Sequence, residues 1–319
     1  MELKAVNTPQ NSNKAVYGVF MIVFFFFVIL MMFAIYTVKV FDREEDMGLL
    51  GKDGNSIAVI EVNGVIMESQ KIVELLQAAD KDKESKAIIL RINSPGGAVG
   101  PTQEIYEEIR RIDQKFDETN GKEGKPIYAS FSSMAASGGY YIGAAARRIY
   151  ASPGTVTGSI GVIMEFMDAS ELMEFAKVKM NNVKAGRYKD IGHPNRKMTD
   201  EEKDLLSHTM AVVHKQFIGD IMKMRKDKIK GDIVELAQGQ IYSGEEAQQV
   251  GLVDELAGLW EAGRRIHEEL KIEQKFGLKF MKKKKKMGVL DFLNNVDESI
   301  SNLDWSAILQ KTPMLMYKM

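Results

Sequence analysis

The sequence contains no cysteine. A disulfide scaffold, a thiol nucleophile, a Cys-ligated zinc and an iron–sulfur cluster are therefore excluded. Histidine is scarce too. His193, His208, His214 and His267 are too scattered to suggest a metal cluster. Neither charge dominates: Lys plus Arg is 43, Asp plus Glu is 44, and the net charge is −1. A nucleic-acid-binding domain usually carries a marked basic excess, so nucleic acid is not expected as a partner. No repeat of solenoid period is present. At 45% hydrophobic and 27% charged over 319 residues, the chain has the composition of one that folds, with room for one large domain or two ordinary ones.

Charge is missing altogether from residues 15–38, which include Phe24 to Phe27. As a helix this stretch reaches ~36 Å, against ~30 Å for the hydrocarbon core of a bilayer. Lys14 and Lys39 bracket it, and Tyr17 and Tyr36 stand where interfacial aromatics belong. It outruns the apolar core of a signal peptide, and Ile35 to Val38 offer no small-residue cleavage site. The pattern predicts an uncleaved transmembrane helix over 15–38. Lys4, Lys14 and the α-amino group precede it. Lys39 and Arg43 follow, with Glu44, Glu45 and Asp46 behind them. Positive residues set topology, so the short segment 1–14 is expected in the cytoplasm and the bulk of the chain outside. Residues 39–55, charged and glycine-containing, read as a stalk.

Beyond the stalk, β-type runs alternate with helical spacing. Strands are expected at 57–62, 86–92, 126–131 and 148–151, and helices at 70–80, 102–112 and 135–146. Alternation of this kind indicates an α/β domain. Thr199 and Glu202 form a capping-box pattern that opens a long amphipathic helix, with Val213, Phe217 and Ile221 among its apolar positions. Residues 232–270 read as helical apart from a turn near 242–244 and a short strand near Leu252-Val253. The tail, 281–319, opens on the lysine run Lys282 to Lys286 and continues as a short amphipathic pattern.

Two glycine-bearing turns carry candidate chemistry. Asn93-Ser94-Pro95-Gly96-Gly97 follows a strand. Ala135-Ala136-Ser137-Gly138-Gly139 places a serine at a strand-to-helix junction, among residues with almost no side chain. The N–H groups of Gly97 and Gly138 suit an oxyanion hole, where losing one donor costs about 3–4 kcal/mol of transition-state stabilisation. A serine nucleophile needs a base. Residues outside helix offer two candidates, His193 and Lys189. A lysine ordinarily titrates at ~10.4 and must fall near neutrality to accept a proton, a change of roughly 4–5 kcal/mol that burial supplies.

Taken together, Ile92 to Gly97, Ser133 to Tyr141, Ala151 to Val162, Gly186 to Gly192, Met198 to Glu202 and Gly239 to Asp254 resemble the bacterial signal peptide peptidase family in order and spacing. The form is the short one with a single repeat, and the resemblance spans residues 56–260. It implies a Clp protease/crotonase-like fold of repeated ββα units, and a protease domain over 56–280. It implies a Ser-Lys dyad with Ser137 as nucleophile, Lys189 as general base and Ser159 steadying the lysine. Gly97 and Gly138 match the oxyanion donors. Ala98 and Val99 on one side, and Gly161, Val162 and Ile163 on the other, match the backbone that pairs with an extended peptide. The resemblance further implies remnant signal peptides and other unfolded apolar peptides as substrates. It implies a homo-oligomeric ring in which the next protomer completes part of each site, and no metal or nucleotide. By the same resemblance the chain is anchored in the bacterial inner membrane with its catalytic domain on the periplasmic side. Two alternatives stay open: a same-fold protease that cuts one membrane-protein partner, and a catalytically silent ring scaffold. Gln240 stands where the family more often has Arg, and His193-Pro194 varies the loop after the lysine.

Overall fold

Two apolar runs without polar alternation, Ile57–Asn63 (β1) and Ala87–Ser94 (β2), are buried along most of their length. That is how strands read when both faces of a parallel sheet are covered. They come from a computed structural model that describes residues 12–45 and 56–282. β1 and β2 pair in parallel from Ile57 with Ala87 to Asn63 with Asn93. Parallel neighbours need a crossover, and the helix Gln70–Lys81 (α2) supplies it. The helix Val99–Glu118 (α3) leads in the same way to the strand Ile127–Ala136 (β3), and β3 runs straight into the short helix Gly138–Ala144 (α4).

The sheet is completed by Ile149–Ala151 (β4), Val156–Gly158 (β5), Ile241–Ser243 (β6), Glu255–Leu256 (β7) and Leu278–Phe280 (β8). Its main order is β6-β5-β3-β2-β1-β8, with β4 pairing to β3 and β7. Only the β5–β6 pair is antiparallel. One core lies between the sheet and α2, α3, α4 and the long helix Asp200–Arg225 (α6). A smaller one lies on the other face, under the helix Leu259–Glu269 (α9). The remaining helices, Ser170–Phe175 (α5), Ile233–Leu236 (α7) and Gly244–Gln249 (α8), are short.

The expected α/β class is observed, and three details differ from expectation. From β1 to α4 strands and helices alternate singly. Where the second strand of a ββα unit would stand, one parallel bridge joins Ile66 to Gly97. The strand expected near Leu252-Val253 is β7 instead, because Leu252 and Val253 are core side chains in the turn before it. The third detail is the N-terminal helix. Its backbone is continuous over Ser12–Glu45 (α1), so residues 39–45 of the expected stalk are helical. No helix among the described residues is long and apolar enough to cross a membrane. Residues 1–11, 46–55 and the tail from 283 lie outside the described residues.

Candidate active site

Ser137 is the hinge between β3 and α4, and its backbone is unusual. With φ +51° and ψ −119° it lies where residues with side chains rarely go, a conformation that costs of order 1–3 kcal/mol. Two hydrogen bonds hold it. Its N–H donates to Gly158 O at 2.9 Å, and its carbonyl accepts from Tyr141 N–H at 2.9 Å. The register prepares this kink. β3 runs from Phe131 to Ala135 while β2 advances only from Ile92 to Ser94, so the end of β3 is re-aimed beside the turn that follows β2.

The two glycine turns foreseen from the sequence lie back to back. Gly96 has φ +107°, and a Cβ there would sit 2.7 Å from Gly138 N and 2.9 Å from Ser137 Cβ. A Cβ on Gly138 would lie 3.2 Å from Gly97 N. Only backbone without side chains approaches this closely. Neither the Gly97 N–H nor the Gly138 N–H donates to a backbone acceptor among the described residues. Two free N–H donors therefore sit beside one strained serine.

Ser137 lines two cavities. The smaller, about 40 Å³, has Gly97, Ser137 and Gly138 at its mouth and Val99, Tyr141 and Phe217 among its apolar walls. Tyr141 packs edge-on against Phe217, with ring centres 4.9 Å apart, and its hydroxyl donates to buried Asp220. Burial, then that carboxylate, push the Tyr141 phenol far up. Tyr106 donates to Asp220 O at 3.0 Å, and burial pushes its phenol up to about 12. Both phenols stay neutral, and the wall of the slot is fixed.

The larger cavity, about 490 Å³, has Ser137, Ser159 and Gly161 to Ile163 on one side and Met210, Ala211 and His214 of α6 on another. Ser159 also has a positive φ, +51°, and its N–H donates to Gln240 O at 2.8 Å. Gln240, the departure from the family pattern, ties the end of α7 through Nε2 to Glu235 O at 2.6 Å. The structure thus gathers Ser137, Gly97, Gly138, Val99, Ser159, Gly161, Val162 and Ile163 around one point. Ala98 sits just beyond, as the N-cap of α3, donating to Ile66 O at 2.8 Å.

The candidate bases are not gathered there. Lys189 is exposed, lies in a turn closed by its N–H to Gly186 O at 3.3 Å, and lines neither cavity. His193 lines neither, and its Nδ1 lies 2.8 Å from Asn195 Oδ1. The loop is ordered by charges. Arg196 bridges Asp190 at 2.8 Å and Glu202 at 2.6 Å, Lys184 adds to Asp190, and Arg187 and Tyr188 meet Glu201. Arg196 first, then the Thr199 N–H, hold the Glu202 carboxyl down at about 2. Arg196 and Lys184 hold Asp190 well below the usual range. His214 and Met210 are what sequence reasoning missed. Their signal was the spacing of 210, 213, 214 and 217 along one side of α6, where Val213 and Phe217 were noted only as apolar positions.

Residues 119–273 match the model of Peptidase family S49, and residues 56–147 match that of Clp protease. A protein of Enterococcus faecium, provisionally named signal peptide peptidase SppA, is 33% identical over 235 residues, 70% of this chain and 66% of its own. A provisionally named protease of Synechocystis is 34% identical over 202 residues, 63% of this chain and 69% of its own. Protease 4 of Salmonella typhi is 32% identical over 230 residues, 69% of this chain and 36% of its own. The chain thus spans about two thirds of the first two relatives and about a third of the last.

Proposed function

The chain belongs to peptidase family S49, and from that premise we propose that it is a serine endopeptidase working through Ser137 and Lys189. The observation that carries the proposal is the strained Ser137 at the head of α4, with the Gly97 and Gly138 N–H groups free beside it. Ser137 Oγ attacks the scissile carbonyl carbon, and its proton passes to the neutral amine of Lys189. The oxyanion is held by the two N–H groups, which were oriented before the substrate arrived. The lysine returns the proton to the leaving amine. Water then deacylates the enzyme with the same amine as base, and Ser159 steadies that amine.

Within one chain Lys189 is exposed and lines neither cavity beside the serine, so the proposed dyad forms between neighbouring copies. Two observations support this. The larger cavity beside Ser137 and Ser159 has room for a lysine side chain. The segment leading to Lys189 also exposes Ile163, Met167, Leu172 and Phe175, an apolar surface suited to burial in a homo-oligomeric ring. Burial there strips the amine of water and favours its neutral form.

The substrates proposed are remnant signal peptides and other unfolded apolar peptides. An extended chain would lie along Gly161 to Ile163 and Ala98-Val99 as an added strand and place an apolar side chain in the slot lined by Val99, Tyr141 and Phe217. Residues 15–38, uncharged and inside the continuous α1, are proposed to anchor the protein in the bacterial inner membrane, with residues 56–280 as the protease domain on the periplasmic side.

The test is complementation. Ser137→Ala and Lys189→Ala are each made alone, then co-assembled. Each is expected to be inactive with a fluorogenic apolar peptide, and the mixture to regain activity, because one copy supplies the serine and its neighbour the lysine. A mixture that stays inactive while its subunits co-assemble would count against a shared dyad. Activity in either single variant would count against the dyad itself.

A further inference from the structure

One imidazole is among the residues that line the cavity proposed to receive the base. The larger cavity is lined by Ser137 and Ser159 and by Met210, Ala211 and His214 of α6. His214, on the α6 wall, is the only imidazole or charged group among the residues lining it. Its Nε2 is buried and has no hydrogen-bond partner among the described residues. Buried polar atoms of this kind are rare, and each needs a reason. Histidine χ2 is a broad torsion, so the ring turns toward an incoming donor without leaving its wall.

We propose that His214 is a positioning residue for the base: its neutral imidazole accepts a hydrogen bond from the amine of Lys189 of the neighbouring copy, and its protonated form drives that amine out. The inference rests on the Ser-Lys reading above. Ser159 and His214 hold the amine from two sides, leaving its lone pair directed at the Ser137 hydroxyl. His214 takes no proton from serine or substrate. Once charged it can no longer accept through Nε2, and it places a cation beside a second cation in a cavity with no carboxylate on its walls. Uptake of a proton by the ring would therefore close the site to the amine.

The experiment compares kcat/KM against pH for the full-length wild type, His214→Gln and His214→Phe, each first shown to fold by thermal melting. Glutamine accepts a hydrogen bond but does not charge, and phenylalanine does neither. In wild type the imidazole and the amine must both be neutral, so on the acid limb the logarithm of the rate is expected to fall with a slope near two. His214→Gln is expected to fall with a slope near one. At about pH 8, His214→Phe is expected to have a kcat roughly tenfold below that of His214→Gln, with KM moved less. Equal slopes in wild type and His214→Gln overturn the switch, and equal kcat in the two variants overturns the hydrogen bond. A fully active Lys189→Ala beside an inactive His214→Gln would instead overturn the lysine reading and make the imidazole the base.

Discussion

The turn that carries Ser137 and the loop that carries Lys189 are built by opposite means. Around the serine, Ala135, Ala136, Gly138 and Gly139 are buried, and position is set by backbone approaches that leave no space for a Cβ. Around the lysine, position is set by ion pairs that join Arg196 to Asp190 and Glu202. Nearby apolar side chains have nothing over them: Met167 is 77% and Phe175 87% exposed. The first region is complete once one chain has folded. The second is left largely uncovered by the described residues. Under the proposed shared dyad, the oxyanion hole would be ready in every copy while the base would arrive with assembly, a restraint on stray cleavage by single chains.

The largest expected effects test whether both regions belong to one catalytic unit. Ser137→Ala and Lys189→Ala should each lower kcat/KM by about 10⁴-fold or more, with secondary structure and melting temperature close to wild type. A Lys189→Ala variant within tenfold of wild type would detach the exposed loop from the chemistry. Next comes Gly96→Ala. Its φ of +107° and the 2.7 Å approach to Gly138 N forbid a methyl group, so a loss of about 2–3 kcal/mol in urea unfolding is expected, along with most of the activity. Unchanged stability would show that the serine turn is more compliant than its contacts imply.

The same contrast explains what the sequence disclosed. Buried apolar runs such as Ile57 to Val62 and Lys86 to Ile92 announce their strands because burial on both faces leaves no other use for them. Thr199 and Glu202 announce the start of α6, and both reciprocal hydrogen bonds of the box are present. Ser137, Gly97 and Gly138 are legible as two turns, but nothing local says that Gly96 presses against Gly138. That approach depends on the register shift between β2 and β3, a property of two strands at once. His214 is hidden for a different reason. A lone histidine inside a helix has no local signature, and its meaning comes from lining one cavity with Ser137 and Ser159. The separation of Lys189 from the serine is likewise invisible in a chain read end to end.

A smaller effect sharpens the comparison. Arg196→Met removes the ion pairs that tie Asp190 to Glu202. Glu202 is buried and Asp190 largely so, and removing their common partner strands both carboxylates, so the melting temperature should fall by several degrees. Placement of a catalytic group is far more sensitive than stability, and the rate should fall roughly ten- to hundredfold. A rate unchanged within a factor of two would mean that assembly, and not Arg196, orders the loop.

The smallest effect expected is a difference in acid response between the two regions, and its sign follows from the carboxylates. Glu202 is held down at about 2 in the folded chain, against an ordinary value of 4.5, chiefly by Arg196. Asp190 is shifted the same way by Arg196 and Lys184. A depressed carboxyl favours the folded loop fully above its ordinary value, and that contribution is lost as pH falls from about 4.5 toward about 2. The serine turn has no such dependence, because backbone contacts fix it and no carboxylate lines either cavity beside Ser137. Hydrogen-exchange protection, corrected for intrinsic rates, should therefore fall over 186–202 before it falls over β3 and α4 as the solution is acidified through that window. Glu202→Gln should show the loosened loop already at neutral pH, with a flatter response to acid. Simultaneous loss in both regions would mean that the loop and the serine turn unfold as one unit.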